Sequence, residues 1–156
     1  MEGYSLRPAT EDDLEKILEI ELKVHRAPWT LEHFKTELSK PQSTVWVLTD
    51  DETDEQVAAY VVFWKLFENA EILNIAVDPA LQRRGFAKAV LQAVVKDLVR
   101  QDIKKLNLEV RKSNLAAIAL YQAAGLTVSQ VRKNFYSDGE DAYAMSLSLE
   151  EDGIRF

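Results

Sequence analysis

Three runs rich in β-branched and aromatic residues follow one another with only short polar breaks: Thr44–Thr49 (TVWVLT), Val57–Leu66 (VAAYVVFWKL) and Glu71–Val77 (EILNIAV). Runs of this texture read as strands. The acidic stretch Asp50–Glu55 between the first two reads as a hairpin loop, so the three strands form a meander, and Asp78-Pro79 stops the third. The period then changes. From Phe86 to Arg100 apolar residues recur at helical spacing (Val90, Leu91, Val94, Val95, Leu98), Lys105–Val110 (KLNLEV) returns to a strand, and Asn114–Ala124 (NLAAIALYQAA) is a helix ended by Gly125. A meander followed by strand, helix, strand and helix requires a mixed sheet with helices laid over it.

The ends complete the pattern. Ser5–Pro8 reads as an edge strand; Thr10 supplies a cap before Glu11, Asp12 and Asp13, and Leu14, Ile17, Leu18 and Leu22 follow at helical spacing. Pro28-Trp29-Thr30 restarts the chain, with Thr30 capping a second helix that carries Leu31, Phe34 and Leu38 and stops at Pro41. Two last strands fit Thr127–Phe135 and Asp141–Leu149. The expected order is β-α-α-β-β-β-α-β-α-β-β, an α/β fold with about four helices, forming a single domain over residues 1–149 with a flexible tail at 150–156.

Composition narrows the function. The chain has no cysteine, which removes disulfides and thiolate metal sites, and His25 and His33 are too isolated for a metal centre or a triad. No run approaches the roughly 18 apolar residues of a membrane span, and the start MEGYSLRPATEDDLEK lacks the basic and apolar regions of a secretion signal, so a cytoplasmic protein is expected. The 26 acidic against 19 basic side chains give a net charge of −7, a field that repels nucleic-acid phosphates and attracts a basic partner.

Against this acidic background, Gln82-Arg83-Arg84-Gly85-Phe86-Ala87 sets two arginines and a glycine where a strand gives way to a helix, with Lys88 one turn in. A helix N-terminus exposes unpaired N–H groups and roughly half a positive charge. Gly85 removes a Cβ that would intrude on a ligand, and Ala87 keeps the surface clear. Two readings follow: a diphosphate cradle, or a solvated basic helix start with a glycine turn. The GxxxxGK[ST] loop and a GxGxxG after the first strand are both absent.

The six residues 82–87 resemble the Q/R-x-x-G-x-G/A signature of the GNAT N-acetyltransferases. The wider segments NIAVDPALQRRGFAKAVL and LEVRKSNLAAIALYQAAGL, with Pro28-Trp29 and RKNFYSDGEDAYAM, are similar to the RimI-type ribosomal-protein-alanine N-acetyltransferases over roughly Ser5 to Leu149. Ala87 replaces the commoner Gly, Leu126 stands where Phe often follows the Gly, and Phe135 where Tyr is frequent. The resemblance implies the GNAT fold, acetyl-CoA as cosubstrate with no metal, and a basic protein N-terminus as acceptor, that of a small-subunit ribosomal protein. It implies that Arg83, Arg84, Gly85, Phe86, Ala87 and Lys88 hold the pyrophosphate. The backbone of Ile75, Ala76 and Val77, ending a splayed strand, takes the pantetheine arm as an added strand.

The same resemblance gives Asn114 a cofactor contact beside its capping role, makes Glu109 the general base, and makes Tyr121 the general acid toward the departing sulfur. On residue pattern alone, Glu109 is also consistent with a solvated charge on the face it shares with Asn107, and Tyr121 with a core tyrosine. An α-amine with pKa ~7.7–8.0 is already partly neutral at pH 7, whereas lysine at ~10.4 is not, so a weak carboxylate base suits an α-amine. Proton transfer from an unperturbed phenol (~10) to a thiolate (~8.5) is uphill by about 2 kcal/mol, which makes Tyr121 chiefly a hydrogen-bond donor. A backbone N–H near Val77 is a candidate oxyanion donor. Trp29 on one side and Asn134, Phe135 and Tyr136 on the other resemble the walls of the family's peptide groove, although Trp29 also fits a core cap.

Overall fold

The computed structural model describes residues 2–150, so the expected tail lies outside the described residues except for Glu150. Seven strands and four α-helices run in the expected order: β1 Tyr4–Pro8, α1 Leu14–Val24, α2 Leu31–Ser39, β2 Ser43–Asp50, β3 Val57–Leu66, β4 Asn69–Val77, α3 Phe86–Arg100, β5 Lys105–Arg111, α4 Leu115–Ala123, β6 Thr127–Arg132 and β7 Ala142–Ser148. Hydrogen bonding orders the sheet β1-β2-β3-β4-β5-β7-β6. The β1–β2, β2–β3, β5–β7 and β6–β7 pairs are antiparallel and β4–β5 is parallel. No helix among the described residues is long and apolar enough to cross a membrane. The chain packs as two compact units, one of residues 2–64 with 74–91 and one of residues 65–73 with 92–150.

In the first unit, β3 is buried from Val57 to Phe63 without alternation, as expected of a strand covered on both faces. Thr10 and Asp13 form a capping box around a short 3-10 turn at Glu11–Asp13, so α1 starts three residues later than its acids suggest. Arg7 clamps the Asp13 carboxylate with two bonds of 2.8 Å and holds it below the usual carboxylate range. The apolar stripe of α1 differs from expectation. Leu14, Ile17 and Ile20 are buried together with Glu21, while Leu22 is 60% exposed. Glu21 stands four residues after Ile17 and seven after Leu14, in the middle of the inward stripe, and Leu22 is turned about 100° away from it.

In the second unit, Leu106, Leu108 and Val110 of β5 are buried, and Asn107, Glu109 and Arg111 take the opposite, partly open face. Along α3, whose residues up to Leu91 belong to the first unit, the buried stripe is Val90, Leu91, Val94, Val95 and Leu98, as its period predicts. α4 is capped by Asn114, whose Oδ1 accepts from the Ala117 N–H at 3.2 Å. β6 stops at Arg132 rather than Phe135, because Asn134 adopts a left-handed φ of 52° and donates its N–H to Asp141 Oδ1 at 2.9 Å, which turns the chain. The β4–β5 ladder runs from Asn69–Lys105 to Ile72–Leu108.

Candidate active site

The first unit carries the turn that leads into α3. Gln82, Arg83, Arg84 and Gly85 are all exposed. Arg83 (φ 68°) and Gly85 (φ 80°) both lie in the left-handed region on either side of Arg84. Alternation of this kind gathers successive N–H groups into an anion-binding concavity, and the first amides of α3 add to it. A Cβ built on Gly85 meets nothing within 4 Å, so the space beside its backbone is open. Open space beside Gly85, the start of α3 and the exposed cations Arg83, Arg84 and Lys88 fit a diphosphate. Phe86 can contribute only its backbone, since its ring is buried and lies 4.7 Å from that of Tyr4. Ala76 and Val77 are buried and Ile75 partly so, which leaves the backbone as the group that Ile75–Val77 can offer. The Asp78 N–H is taken up by Ala58 O at 2.8 Å, so the oxyanion donor expected near Val77 is not that amide.

The second unit carries the acid–base groups. Glu109 projects from the open face of β5, one-fifth exposed, and Arg132 of β6 meets it at 3.2 Å. The intervening β7 residues Ala142 and Ala144 are small, and let the arginine reach across them. The fourth strand adds a residue that the sequence did not single out. Glu71 stands in register with Asn107, two positions from Glu109 and on the same face. Burial, followed by the neighbouring carboxylate of Glu109, pushes the Glu71 carboxyl up to about 7, against the pull of Arg132. The signal was present in the alternation of β4, which turns Glu71 to the side opposite the buried Ala70 and Ile72.

Tyr121 of α4 is buried, and burial, aided by Tyr136, pushes its phenol well above the ordinary tyrosine value. A phenol so raised keeps its proton, and so its capacity to donate a hydrogen bond. Tyr136 is half-buried, with the Arg111 guanidinium 4.0 Å above its ring. Arg111 also holds Asp138 at 2.8 Å and Glu140 at 3.0 Å, and Glu140 accepts the Ser113 N–H at 2.9 Å. This clasp fixes the β6–β7 loop to the end of β5. Asn134 and Phe135 are exposed on the same loop. Asn114 uses its Oδ1 as the cap of α4, and its Nδ2 remains as a donor.

Trp29, expected at the acceptor side, belongs to the first unit. Its ring stacks on His33 at 3.8 Å, and its backbone N–H donates to Glu21 Oε2 at 2.9 Å. Glu21 also accepts from the Tyr60 hydroxyl and from Asn74 Nδ2 at 2.8 Å, and His25 Nε2 lies 3.6 Å away. His25 follows the last residue of α1 and is partly exposed, with its Nε2 buried. Among the described residues no group of three or more His, Asp or Glu is arranged to hold a metal ion.

The profile of the Acetyltransferase (GNAT) family matches residues 14–126. The [ribosomal protein bS18]-alanine N-acetyltransferase of Haemophilus ducreyi is 35% identical over 143 residues, which cover 89% of this chain and 96% of that protein. The crystal structure of the ribosomal-protein-S18-alanine N-acetyltransferase of Escherichia coli superposes with a TM-score of 0.86 at 33% identity, covering 96% of both chains. That of Ard1 from Thermoplasma volcanium gives a TM-score of 0.88 at 25% identity, covering 96% of this chain and 99% of the other. A family profile spanning most of the chain, full-length likeness to these acetyltransferases and the expected strand order lead to one conclusion: the chain belongs to the GNAT family of acetyltransferases, enzymes that depend on acetyl-CoA.

Proposed function

We propose that this chain acetylates the N-terminal amine of a basic protein in the cytoplasm, the acceptor being the N-terminal alanine of a small-subunit ribosomal protein. The observation that carries the reading is the carboxylate of Glu109, held on an open sheet face by Arg132. A carboxylate there can take a proton from an α-ammonium, whose own pKa is within reach, and is mismatched to lysine. The likeness to proteins named for acetylating the alanine of bS18 supports the acceptor, and the net charge of −7 suits a basic chain.

Acetyl-CoA supplies an acetyl group activated as a thioester. The turn from Arg83 to Lys88 binds its diphosphate, the backbone of Ile75, Ala76 and Val77 pairs with its pantetheine arm, and Asn114 adds a polar contact. Glu109 removes a proton from the acceptor, Tyr121 donates a hydrogen bond toward the sulfur, and Trp29, Asn134 and Tyr136 border the acceptor peptide.

The cosubstrate half is tested at Gly85. A ligand selective for the folded state at a hundredfold excess over Kd stabilises it by about 2.7 kcal/mol, which raises Tm by roughly 5–10 °C for a chain of this size. CoA is expected to give such a rise in the wild type. In Gly85→Glu the added carboxylate meets the phosphates, so most of the rise disappears and acetyl transfer to an alanine-initiated peptide falls with it. The variant alone melts lower because a side chain at φ 80° is strained, so the quantity compared is the CoA-induced shift. An undiminished shift in the variant contradicts the phosphate assignment.

A further inference from the structure

Arg111 stands on the open face of β5, two residues beyond Glu109, so about 6–7 Å of strand separates it from the base. Acetyl transfer gives it no task, yet its guanidinium gathers three residues of the loop that joins β6 to β7. Nη1 donates to Asp138 Oδ2 at 2.8 Å and to Glu140 Oε1 at 3.0 Å. Its Cζ lies 4.0 Å from the centre of the Tyr136 ring, and the side chain is only 15% exposed. Inside the loop, the Tyr136 N–H donates to Glu140 O at 3.1 Å and the Gly139 N–H to Tyr136 O at 2.9 Å. The Glu140 N–H donates to Asp138 Oδ1 at 3.0 Å. Asp141 accepts the Asn134 N–H at 2.9 Å and pairs with Lys112 at 3.4 Å. All of these contacts lie within the second unit.

The three carboxylates are thus engaged in holding the loop. What the loop offers to a ligand is Asn134, the exposed Phe135 and the half-buried Tyr136, whose ring meets that of Phe135 edge-on at 5.1 Å. A guanidinium suits this task because its donors lie at the edge of a plane whose face stacks on an aromatic ring. We propose that Arg111 is the positioning residue of the acceptor wall: it fixes Tyr136 and its loop at the end of β5 and so sets how tightly the peptide terminus is held. The inference rests on the acetyl-transfer reading, in which Asn134 and Tyr136 border the peptide. Arg111 itself touches no reacting atom. Because the loop is ordered beforehand, the cost of ordering it falls on folding and not on peptide binding. Loss of the clasp therefore appears in KM for peptide and leaves kcat little changed.

The test uses an alanine-initiated peptide that continues with Arg and Lys. Arg111→Gln is expected to raise its KM about tenfold, the size of one lost hydrogen bond to a charged group, and to keep the CoA-induced rise in Tm. Asp138→Asn, at a more exposed position, opens the clasp from the loop side and should raise KM by a smaller factor. It decides the question if Arg111→Gln does not fold. The two substitutions change the local charge in opposite directions. If the loop acted by attracting a basic peptide, Arg111→Gln would lower KM and Asp138→Asn would raise it, and that result overturns the inference. In Tyr136→Leu the wall is already lost, so adding Arg111→Gln should raise KM no further; additive effects also overturn it. Hydrogen exchange of the free protein supplies a readout without substrate. The Tyr136 and Gly139 amides should exchange faster in Arg111→Gln, with the β5 and β7 amides unchanged. Unaltered exchange of the loop, or an unchanged KM, overturns the inference and leaves the acetyl-transfer reading standing. A wild type that acetylates no peptide terminus overturns that reading instead, and the exchange experiment then decides whether Arg111 holds the loop.

Discussion

Glu109→Gln is expected to lower kcat about 10²–10⁴-fold, the usual worth of a positioned general base, with CoA affinity little changed. The substitution is close to isosteric. The Gln Oε1 can still accept from Arg132, which meets the native side chain at 3.2 Å, so the β5 face should keep its packing. What disappears is the capacity to accept a proton. The diphosphate turn belongs to the other compact unit and contains neither Glu109 nor Arg132, so the CoA-induced rise in Tm should survive. Steady-state kinetics at saturating peptide and acetyl-CoA measure the effect, and a variant with near-normal kcat removes Glu109 from the role given to it.

The second large effect is on stability. Glu21→Ala is expected to cost about 3–5 kcal/mol, the range for removing one member of a buried charged network, and to lower Tm on the order of 10 °C. The carboxylate is 1% exposed and receives the Tyr60 hydroxyl, the Asn74 amide and the Trp29 backbone N–H. Truncation leaves two buried donors and one part-buried donor without an acceptor, and each buried group so left costs about 1–3 kcal/mol. It also opens a cavity beneath Tyr60, which is fully buried. Because the Trp29 N–H is one of the three, the segment between α1 and α2 loses an anchor, and KM for peptide should rise with the loss of stability. Urea denaturation measures the first effect; a loss below about 1 kcal/mol shows that the network is replaceable by water.

These two residues show where the sequence was legible and where it was not. The order of strands and helices followed from period alone, and the stripe of α3 agrees residue by residue, because both are set by local spacing. Glu109 was found through the motif around it and the alternation of LNLEV, which turns it to the open face. Glu21 was passed over although it sits four residues after Ile17. A carboxylate in an apolar stripe becomes intelligible only when Tyr60, Asn74 and Trp29, distant in sequence, arrive as its donors. Glu71 is similar: its alternation was visible, but its partner depends on the β4–β5 register, which no local pattern specifies. The reading of Leu22 as a core residue failed because helical spacing identifies a stripe without fixing its centre. The shortened β6 depends on the bond from Asn134 to Asp141, a contact made only after the loop has closed.

The central claim is that the acetyl group goes to an α-amine. The measurement that tests it most directly is the fragmentation spectrum of a peptide that begins with Ala, continues with Arg and Lys, and has been incubated with the protein and acetyl-CoA at neutral pH. At that pH roughly a tenth or more of the terminal amines are neutral, against less than about a tenth of a percent of lysine side chains. The account predicts a single acetyl group on the terminal alanine and unmodified lysines. Acetyl groups on the lysine side chains, with the terminal amine free, would contradict it.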